Sequence, residues 1–149
     1  VDENSVILPK NERQKCLLNT ENLLLNSSID TTIVRCGGLF GFNRKIGNFF
    51  KNKTISEPNS PVNLIHCTDV IGIICAILNQ KQKNTIFNAV CPHHPTKKEL
   101  YTFHSKQQGL PTPSFNTQKK QPFKLVAPNH TLNTLNYSFN YDNLMTTYD

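Results

Sequence analysis

The 149-residue sequence contains no tryptophan, one methionine and only 17% charged residues. Its longest apolar run, residues 70–78, is too short to cross a membrane, because a spanning helix needs about 20 apolar residues. Apolar residues reach 37%, which supports a modest core and argues against wholesale disorder. The composition does not shift along the chain, so we expect one domain over residues 1–149 and no membrane partner.

The sequence also lacks any long basic run, although its formal net charge is +6. Nucleic-acid binding needs a basic stripe interleaved with aromatic side chains on one face. Here the cations occur as short, scattered pairs, namely Lys51/Lys53, Lys97/Lys98 and Lys119/Lys120. We therefore expect no nucleic-acid partner and interpret the last two pairs as solvated faces.

Cysteine is present in an odd number, without a recognisable secretory signal before it. The five cysteines lie in mostly apolar contexts, at positions 16, 36, 67, 75 and 91. This pattern favours reduced thiols and a cytoplasmic protein. Cys91-Pro-His-His94, together with His66 and Cys67, supplies metal-ligating side chains. Their spacing fits no zinc finger or ribbon, so we expect no metal.

The most informative stretch of the chain runs from Thr31 to Arg44. It begins as an apolar, β-branched run, continues with glycines and ends in basic residues. Its first residues favour extended backbone, and Gly37, Gly38 and Gly41 permit close approaches that a side chain would block. The pattern predicts a buried strand that delivers a flexible loop, residues 37–47, to a ligand. Such strand ends are the ligand-binding positions of α/β proteins.

Helices and strands alternate around this stretch. A helix is predicted from Asn11 to about Asn26, with Asn11 at its amino end. A short strand over residues 62–66 precedes a helix that Thr68 or Asp69 caps and that ends near residue 78. That helix is apolar nearly all round, so we expect it to be buried.

The carboxyl part continues the alternation with a strand over residues 85–90 and a helix opened by a capping box of Thr96 and Glu99. A last short strand is predicted over residues 123–126. A tail helix is predicted with Asn129 at its amino-terminal cap and Asn136 at the left-handed position after it. The aromatic and apolar residues of positions 137, 139, 141 and 144 then dock on the core. The alternation predicts an α/β fold with few strands.

Four ordered motifs carry a family resemblance: Val34-Arg-Cys-Gly-Gly-Leu-Phe-Gly41, Pro61-Val-Asn-Leu-Ile-His-Cys-Thr-Asp-Val70, Ile86-Phe-Asn-Ala-Val90 with Pro95-Thr-Lys-Lys-Glu99, and Leu135-Asn-Tyr137 with Tyr141-Asp-Asn-Leu144. They resemble the carboxyl half of an extended or atypical short-chain dehydrogenase/reductase of the NAD-dependent epimerase/dehydratase-like group. The resemblance implies a partial Rossmann-like fold, its carboxyl-terminal strands joined to substrate-domain helices. It also implies that NAD or NADP is the cofactor of the full-length parent.

The family's glycine-rich dinucleotide-binding turn and its catalytic tyrosine have no counterpart in this sequence. We therefore expect a segment that lacks the amino-terminal half, has no catalytic residue and is inactive alone. The resemblance implies that Cys36 and Gly37 lie near the nicotinamide ribose, and that Gly38, Arg44 and His66 contact a small-molecule substrate such as a sugar derivative. The alternative is a non-catalytic binding or interaction module derived from the same fold.

Two further expectations follow from the resemblance. Extended members carry an arginine where this chain has Val62, which removes the usual contact to a nucleotide-sugar phosphate. The strand around Val34 would be central in the parent sheet, so its absent neighbours leave an open edge and an exposed apolar face. We expect the isolated chain to be marginally stable, oligomeric or prone to aggregate.

Overall fold

The structure, a computed structural model, describes residues 1–117 and 122–147. Lys119 and Lys120, predicted to be solvated, lie outside these residues. The described chain alternates helices and strands in this order: α1 Glu12–Leu25, β1 Thr32–Cys36, β2 Gly38–Phe40, β3 Thr54–Ser56, β4 Leu64–His66, α2 Cys67–Asn79, β5 Thr85–Ala89, α3 Lys97–Gln107, β6 Ser114–Asn116 and α4 Asn129–Leu135. A single 3-10 turn, Ile46–Asn48, follows β2.

The strands pair in parallel. β1 pairs with β5, β2 with β4 and β3 with β6. Each pair joins strands separated by more than about a dozen residues, as the crossover connections of parallel strands require. The predicted Rossmann-like α/β fold is confirmed.

Helices cover both faces of the β1–β5 pair. Val34 and Phe87 are opposite each other in register and pack with Ile73, Ile77 and Leu135 from α2 and α4. Successive strand residues point to opposite faces, so the neighbouring Arg35 faces α1. There its guanidinium binds the Glu21 carboxylate.

A second core lies around β2, β4 and α3. Its buried side chains come from all parts of the chain after β1: Phe40, Ile46, Ile55, Val62, Leu64, Cys91, Leu100, Tyr101 and Leu144. The docking of the tail on the core is confirmed, since Leu144 is fully buried here and Tyr137 packs on the first core.

Both predicted amino-terminal caps of the flanking helices are confirmed. The Asn11 side chain accepts a hydrogen bond from the Gln14 N–H at 3.0 Å and begins α1. Thr96 and Glu99 form the reciprocal capping box of α3, with bonds of 2.9 and 3.2 Å. Asn136 has the expected left-handed backbone, with φ of 47°.

The cap of α2 was predicted wrongly. His66 occupies the capping position, and its Nδ1 accepts the Thr68 N–H at 3.2 Å. Asp69 is instead fully buried and turns toward the carboxyl-terminal tail. The tail helix differs likewise, because Pro128 rather than Asn129 precedes it, without a side-chain cap.

The prediction that α2 is buried all round is also wrong. Ile73 and Ile77 are buried, whereas Ile71, Ile74 and Leu78 are 55%, 42% and 69% exposed. Only one face of the helix meets the sheet, so its remaining apolar residues point away from the core. No helix among the described residues is long and apolar enough to cross a membrane.

Three further predictions differ from the structure: a loop, a short strand and a solvated lysine. Residues 37–47 are not wholly a loop, because β2 lies within them and pairs with β4. Residues 123–126 form no strand; the Asn63 carboxamide holds them, donating to the Lys124 carbonyl and accepting from the Val126 N–H. Lys97 is not fully solvated, since its ammonium lies 3.3 Å from the Glu57 carboxylate.

The open edge expected for β1 is present, but the exposed apolar face is not found on this strand. Within the described residues β1 has β5 as its one strand partner, which leaves its other edge open, and its first four residues are half-buried. The exposed apolar side chains lie instead on α1, which buries none of its residues and leaves Leu17, Leu23 and Leu24 exposed.

Candidate functional site

The first candidate site is a cleft of about 560 Å³ at the carboxyl ends of β1 and β5. Residues 1–10 and α1 form its walls, and Cys36, Gly37 and Asn88 lie at its base. Its volume is typical of a small-molecule site. Its position, outside the carboxyl ends of parallel strands, is where open α/β sheets bind ligands. We call it the Cys36 cleft.

Gly37 and Gly38 make the turn from one strand pair to the next. The Gly37 N–H donates to the Ala89 carbonyl at 2.9 Å, and the Gly38 N–H donates to the Asn63 carbonyl at 2.8 Å. A Cβ on Gly37 would lie 2.9 Å from the Asn63 oxygen. A Cβ on Gly38 would lie 2.6 Å from a Leu64 methyl group. The close passage of the chain past β4 therefore requires both glycines.

The Cys36 thiol is at the protein surface, with a weak contact of 3.9 Å to the Val34 carbonyl. Partial burial raises the pKa of this thiol, and the nearby Cys67 adds to the rise. A thiol with a raised pKa stays protonated at neutral pH and is a poor nucleophile. Its position suits contact with a ligand better than covalent chemistry.

The charged and polar groups of the cleft are held by neighbours. The Arg35 Nε lies 3.1 Å from both Glu21 carboxylate oxygens, which ties β1 to α1. The Glu3 carboxylate accepts the Asn88 N–H at 2.8 Å, which ties residues 1–10 to β5. The positively charged Lys124 also lines the cleft. These contacts tie α1 and residues 1–10 to the two strands beside Cys36.

Arg44, predicted to contact substrate, closes a hairpin beyond β2. Its backbone exchanges two hydrogen bonds with Gly41, at 2.9 and 3.1 Å. Its guanidinium donates to the Leu39 carbonyl at 2.6 Å and lies 5.1 Å from the centre of the Phe49 ring. The side chain thus stabilises the hairpin, and substrate contact by Arg44 stays a prediction.

His66 is 2% exposed, and its ring lies among aromatic side chains. The ring centres of Phe40 and Tyr141 lie 5.1 and 3.8 Å away. Burial lowers the pKa of His66, while the Asp69 charge raises it in opposition. The neutral ring caps α2, and its substrate contact stays a prediction.

The predicted site residues therefore divide into two groups. Cys36 and Gly37 line one cleft, and their contact with the nicotinamide ribose stays a prediction. Gly38 follows on the far side of the strand turn, Arg44 stands in the hairpin and His66 lies in the core beneath it. Of the five predicted residues, only Cys36 and Gly37 therefore line the Cys36 cleft.

Sequence reasoning missed the carboxamides that shape the cleft. Asn63 supplies the carbonyl against which both glycines pack and also holds residues 124–126. Asn88 binds the Glu3 carboxylate through its backbone and donates to the Ala127 carbonyl at 3.3 Å. Asparagine is abundant in this sequence, so its pattern gave no signal that singled out these two.

The cysteine and histidines of residues 91–94 have separate protein partners. The Cys91 thiol is 3.2 Å from the Asp142 carbonyl, and burial raises its pKa to about 11. His93 accepts the Leu144 N–H at 3.1 Å, and His94 lies 2.9 Å from the Val62 carbonyl. Within residues 1–117 and 122–147, no three His, Cys, Asp or Glu side chains are grouped to hold a metal ion.

Comparison with known proteins gives one curated relative in two strains. The chain is 33% identical over 119 residues to Protein YeeZ of Escherichia coli K12, which is 79% of this chain and 43% of that protein. Protein YeeZ of Escherichia coli O157:H7 matches to the same extent. The chain thus spans less than half the length of the curated relatives it matches. No protein-family model matches it.

Solved structures share the fold at low sequence identity. A functionally unknown conserved protein from Silicibacter pomeroyi superposes with a TM-score of 0.83 and 18% identity over 97% of this chain and 57% of its own. The dTDP-glucose 4,6-dehydratase of Bacillus anthracis, solved with NAD, gives 0.76 and 13% over 96% and 52%. Human epimerase family protein SDR39U1, solved with NADPH, gives 0.75 and 18% over 97% and 56%. These neighbours include NAD(P)-bound epimerase and dehydratase structures, and the chain matches about half of each.

Proposed function

We propose that the chain is the carboxyl-terminal part of an NAD(P)-dependent epimerase/dehydratase-like oxidoreductase and forms the substrate-side wall of its active site. In this proposal residues 1–149 are one segment that lacks the dinucleotide-binding half and is inactive alone. The observation that carries it is the Cys36 cleft, a small-molecule-sized opening at the carboxyl ends of two parallel strands. The matched length, about half of each NAD(P)-bound neighbour, supports it.

The residues present fit one end of the cofactor. The cleft's volume and its backbone turn at Gly37 suit a nicotinamide riboside, which Cys36 and Gly37 would hold. The pyrophosphate needs a glycine-rich turn at a helix amino terminus, and this sequence has none. When bound, NAD or NADP supplies hydride transfer. The chain's own part is to orient the cofactor and exclude water on the substrate side.

The substrate in this proposal is a small molecule such as a sugar derivative, contacted by Gly38, Arg44 and His66. Two structural neighbours were solved with UDP-glucuronic acid or with UDP. Val62 is buried in the second core, where the resemblance would place a phosphate-binding arginine. We therefore favour a substrate that does not need that contact. The five free cysteines support a reduced, cytoplasmic setting.

The second candidate is a non-catalytic binding module built from the same fold. One observation favours it: the space beside Gly37 and Gly38 is filled by Asn63 and Leu64. Packing alone thus explains the glycines, without a ligand. The raised pKa of the Cys36 thiol is equally compatible with a binding role.

The test compares this chain with the complete product of its gene, each titrated with NADH and NADPH by fluorescence. We expect the complete product to bind one of them and this chain to bind neither. A Gly37→Val change should weaken binding by the complete product at least about tenfold, because its side chain meets the Asn63 backbone at the cleft. Leu23→Ala, on exposed α1, is the matched control. A complete product that binds neither cofactor contradicts the proposal and favours the binding module.

A further inference from the structure

A second cleft, of about 440 Å³, lies between the hairpin after β2 and the carboxyl end of α3. It shares no lining residue with the Cys36 cleft. Its polar lining side chains come from both walls, Lys45 and Asn48 from one and His104, Gln107 and Gln108 from the other, together with Thr147 of the tail. We call it the Lys45 cleft.

The hairpin wall is held in a strained and specific shape. Gly41 has φ of 111°, and a Cβ there would lie 2.2 Å from the His66 Nε2, so only glycine fits. Phe42 follows with φ of 50°, an uncommon conformation for a bulky residue. Its ring is 62% exposed and lines the cleft. A strained backbone that presents an apolar ring to solvent is typical of a functional surface.

Arg44 and Gly47 set the distance between the two walls. The Arg44 guanidinium is bonded to the Leu39 carbonyl and packs on Phe49, which braces the hairpin. Gly47 is buried against α3, where a Cβ would lie 2.7 Å from the Gln108 Oε1 and 2.9 Å from the His104 carbonyl. The cleft therefore has defined walls in the chain as it stands.

The chemistry of the lining is cationic and rich in hydrogen-bonding groups. Lys45 supplies an ammonium, and Asn48, Gln107 and Gln108 supply carboxamides, which both donate and accept. Among residues 1–117 and 122–147 the lining includes no Asp or Glu. From these residues an anion would meet the Lys45 charge and no carboxylate, while hydroxyl groups would find carboxamide partners. The Phe42 ring offers an apolar face for C–H groups.

We propose that the Lys45 cleft binds a small hydroxylated anion, a sugar acid or sugar phosphate, whose charged group pairs with Lys45 and whose hydroxyls bind the carboxamides. The site is separate from the Cys36 cleft, and the proposal does not rest on the proposed function. Arg44 braces the wall, and Lys45 is the residue that meets the ligand.

The test is ligand-observed NMR and calorimetry on this chain with four probes: D-glucuronate, D-glucose 6-phosphate, D-glucose and inorganic phosphate. We expect binding of glucuronate or glucose 6-phosphate, with glucose and phosphate at least about tenfold weaker. Lys45→Gln should lower the affinity for the bound anion about tenfold, because it removes the charge-assisted bond. Gln107→Ala should lower it less.

Lys106→Gln is the matched control, since this exposed cation precedes Gln107 on α3 but does not line the cleft. It should leave the affinity unchanged. Three results overturn the proposal: no binding of either hydroxylated anion by folded chain, equal loss in Lys45→Gln and Lys106→Gln, or equal binding of glucose. Phosphate binding as tight as glucose 6-phosphate overturns the hydroxyl recognition. Because all arms use this chain without nicotinamide cofactors, their failure leaves the proposed function unaffected.

Discussion

The amino-terminal helix α1 and the carboxyl-terminal tail differ in how completely they pack on the rest of the chain. At the amino end, α1 buries none of its residues and leaves several leucines exposed. The carboxyl-terminal tail, in contrast, packs on α2. The buried Asp69 of α2 accepts hydrogen bonds from the Tyr137 hydroxyl, from the Asn140 backbone and side chain, and from the Tyr141 backbone. The tail thus supplies the hydrogen-bond donors that the buried Asp69 carboxylate of α2 needs.

The contrast shows which part of the chain has its polar groups paired and its apolar side chains covered. A fully buried carboxylate is tolerated only when donors surround it, and the tail supplies four. The apolar side chains of α1 and the open edge of β1 have no comparable cover among residues 1–117 and 122–147. We infer that the carboxyl region determines most of the stability of the chain and that α1 contributes little.

Asp69→Ala should give the largest loss of stability. Removing the carboxylate leaves several donors of the tail without their acceptor, at a cost of about 3 kcal/mol or more in the free energy of unfolding. Urea denaturation followed by circular dichroism measures the loss. Asp142→Ala, on the exposed part of the same tail, is the control and should change stability by less than about 0.5 kcal/mol. Equal effects of the two changes would show that the buried network is not what holds the tail.

Gly72→Ala should cost about 1–3 kcal/mol, although alanine is the better helix former. A Cβ at Gly72 would lie 2.3 Å from the Tyr137 hydroxyl oxygen and 2.9 Å from the ring. The helix must therefore move or Tyr137 must leave its place beside Asp69. Denaturation of the single and double variants with Tyr137→Phe measures the coupling.

In the Tyr137→Phe background the same glycine substitution should cost less, because the closest atom is gone. Additive losses would instead mean that the clash is relieved without disturbing Tyr137. The pKa of the Tyr137 hydroxyl, raised to about 12 by burial and by Asp69, gives an independent check. It should return toward 10 in Gly72→Ala if the ring is displaced.

Stability should fall as the pH drops from 7.5 to 5.5. Burial lowers the pKa of both His66 and His104 in the folded chain, so the unfolded chain binds more protons in this range. The stability these neutral rings provide is present above the unfolded pKa of about 6.5 and is lost as the pH falls below it toward the folded values. Urea midpoints at several pH values measure the effect. A flat profile would contradict the neutral, buried state of both histidines.

Leu17→Ser on α1 should have the smallest effect on folding, less than about 0.5 kcal/mol, because Leu17 is already 59% exposed. It should also reduce any self-association of the chain, since it removes apolar surface from an uncovered face. Denaturation and sedimentation velocity measure the two quantities. A loss above about 1 kcal/mol would place α1 inside the stable part of the chain and remove the contrast between the ends.

Local signals in the sequence were sufficient for much of the fold. The cap at Asn11 and the capping box of Thr96 and Glu99 act over three residues, so the pattern locates both helix starts. The β-branched run before Gly37 located β1 in the same way. The alternation of helix and strand then predicted the α/β class, in which crossover connections join parallel strands.

Long-range contacts explain what the sequence did not reveal. Asp69 stands where a helix cap is expected, and its burial depends on a tail some 70 positions away. β2 has only three residues and is fixed by β4, so its glycine-rich sequence predicts a loop. Cys36 and Gly37 could be located from their motif, whereas Asn63 and Lys45 acquire their positions only when distant segments meet.

The measurement that tests the central claim most directly is a thermal-shift titration of this chain alone with NAD and NADP. We propose that the chain supplies one wall of a nicotinamide site and no pyrophosphate-binding turn. We therefore expect no rise in Tm at concentrations that saturate an ordinary NAD(P) site. A saturable rise would contradict it, since ligand at 100 times its Kd adds about 2.7 kcal/mol of stability to a protein that binds it.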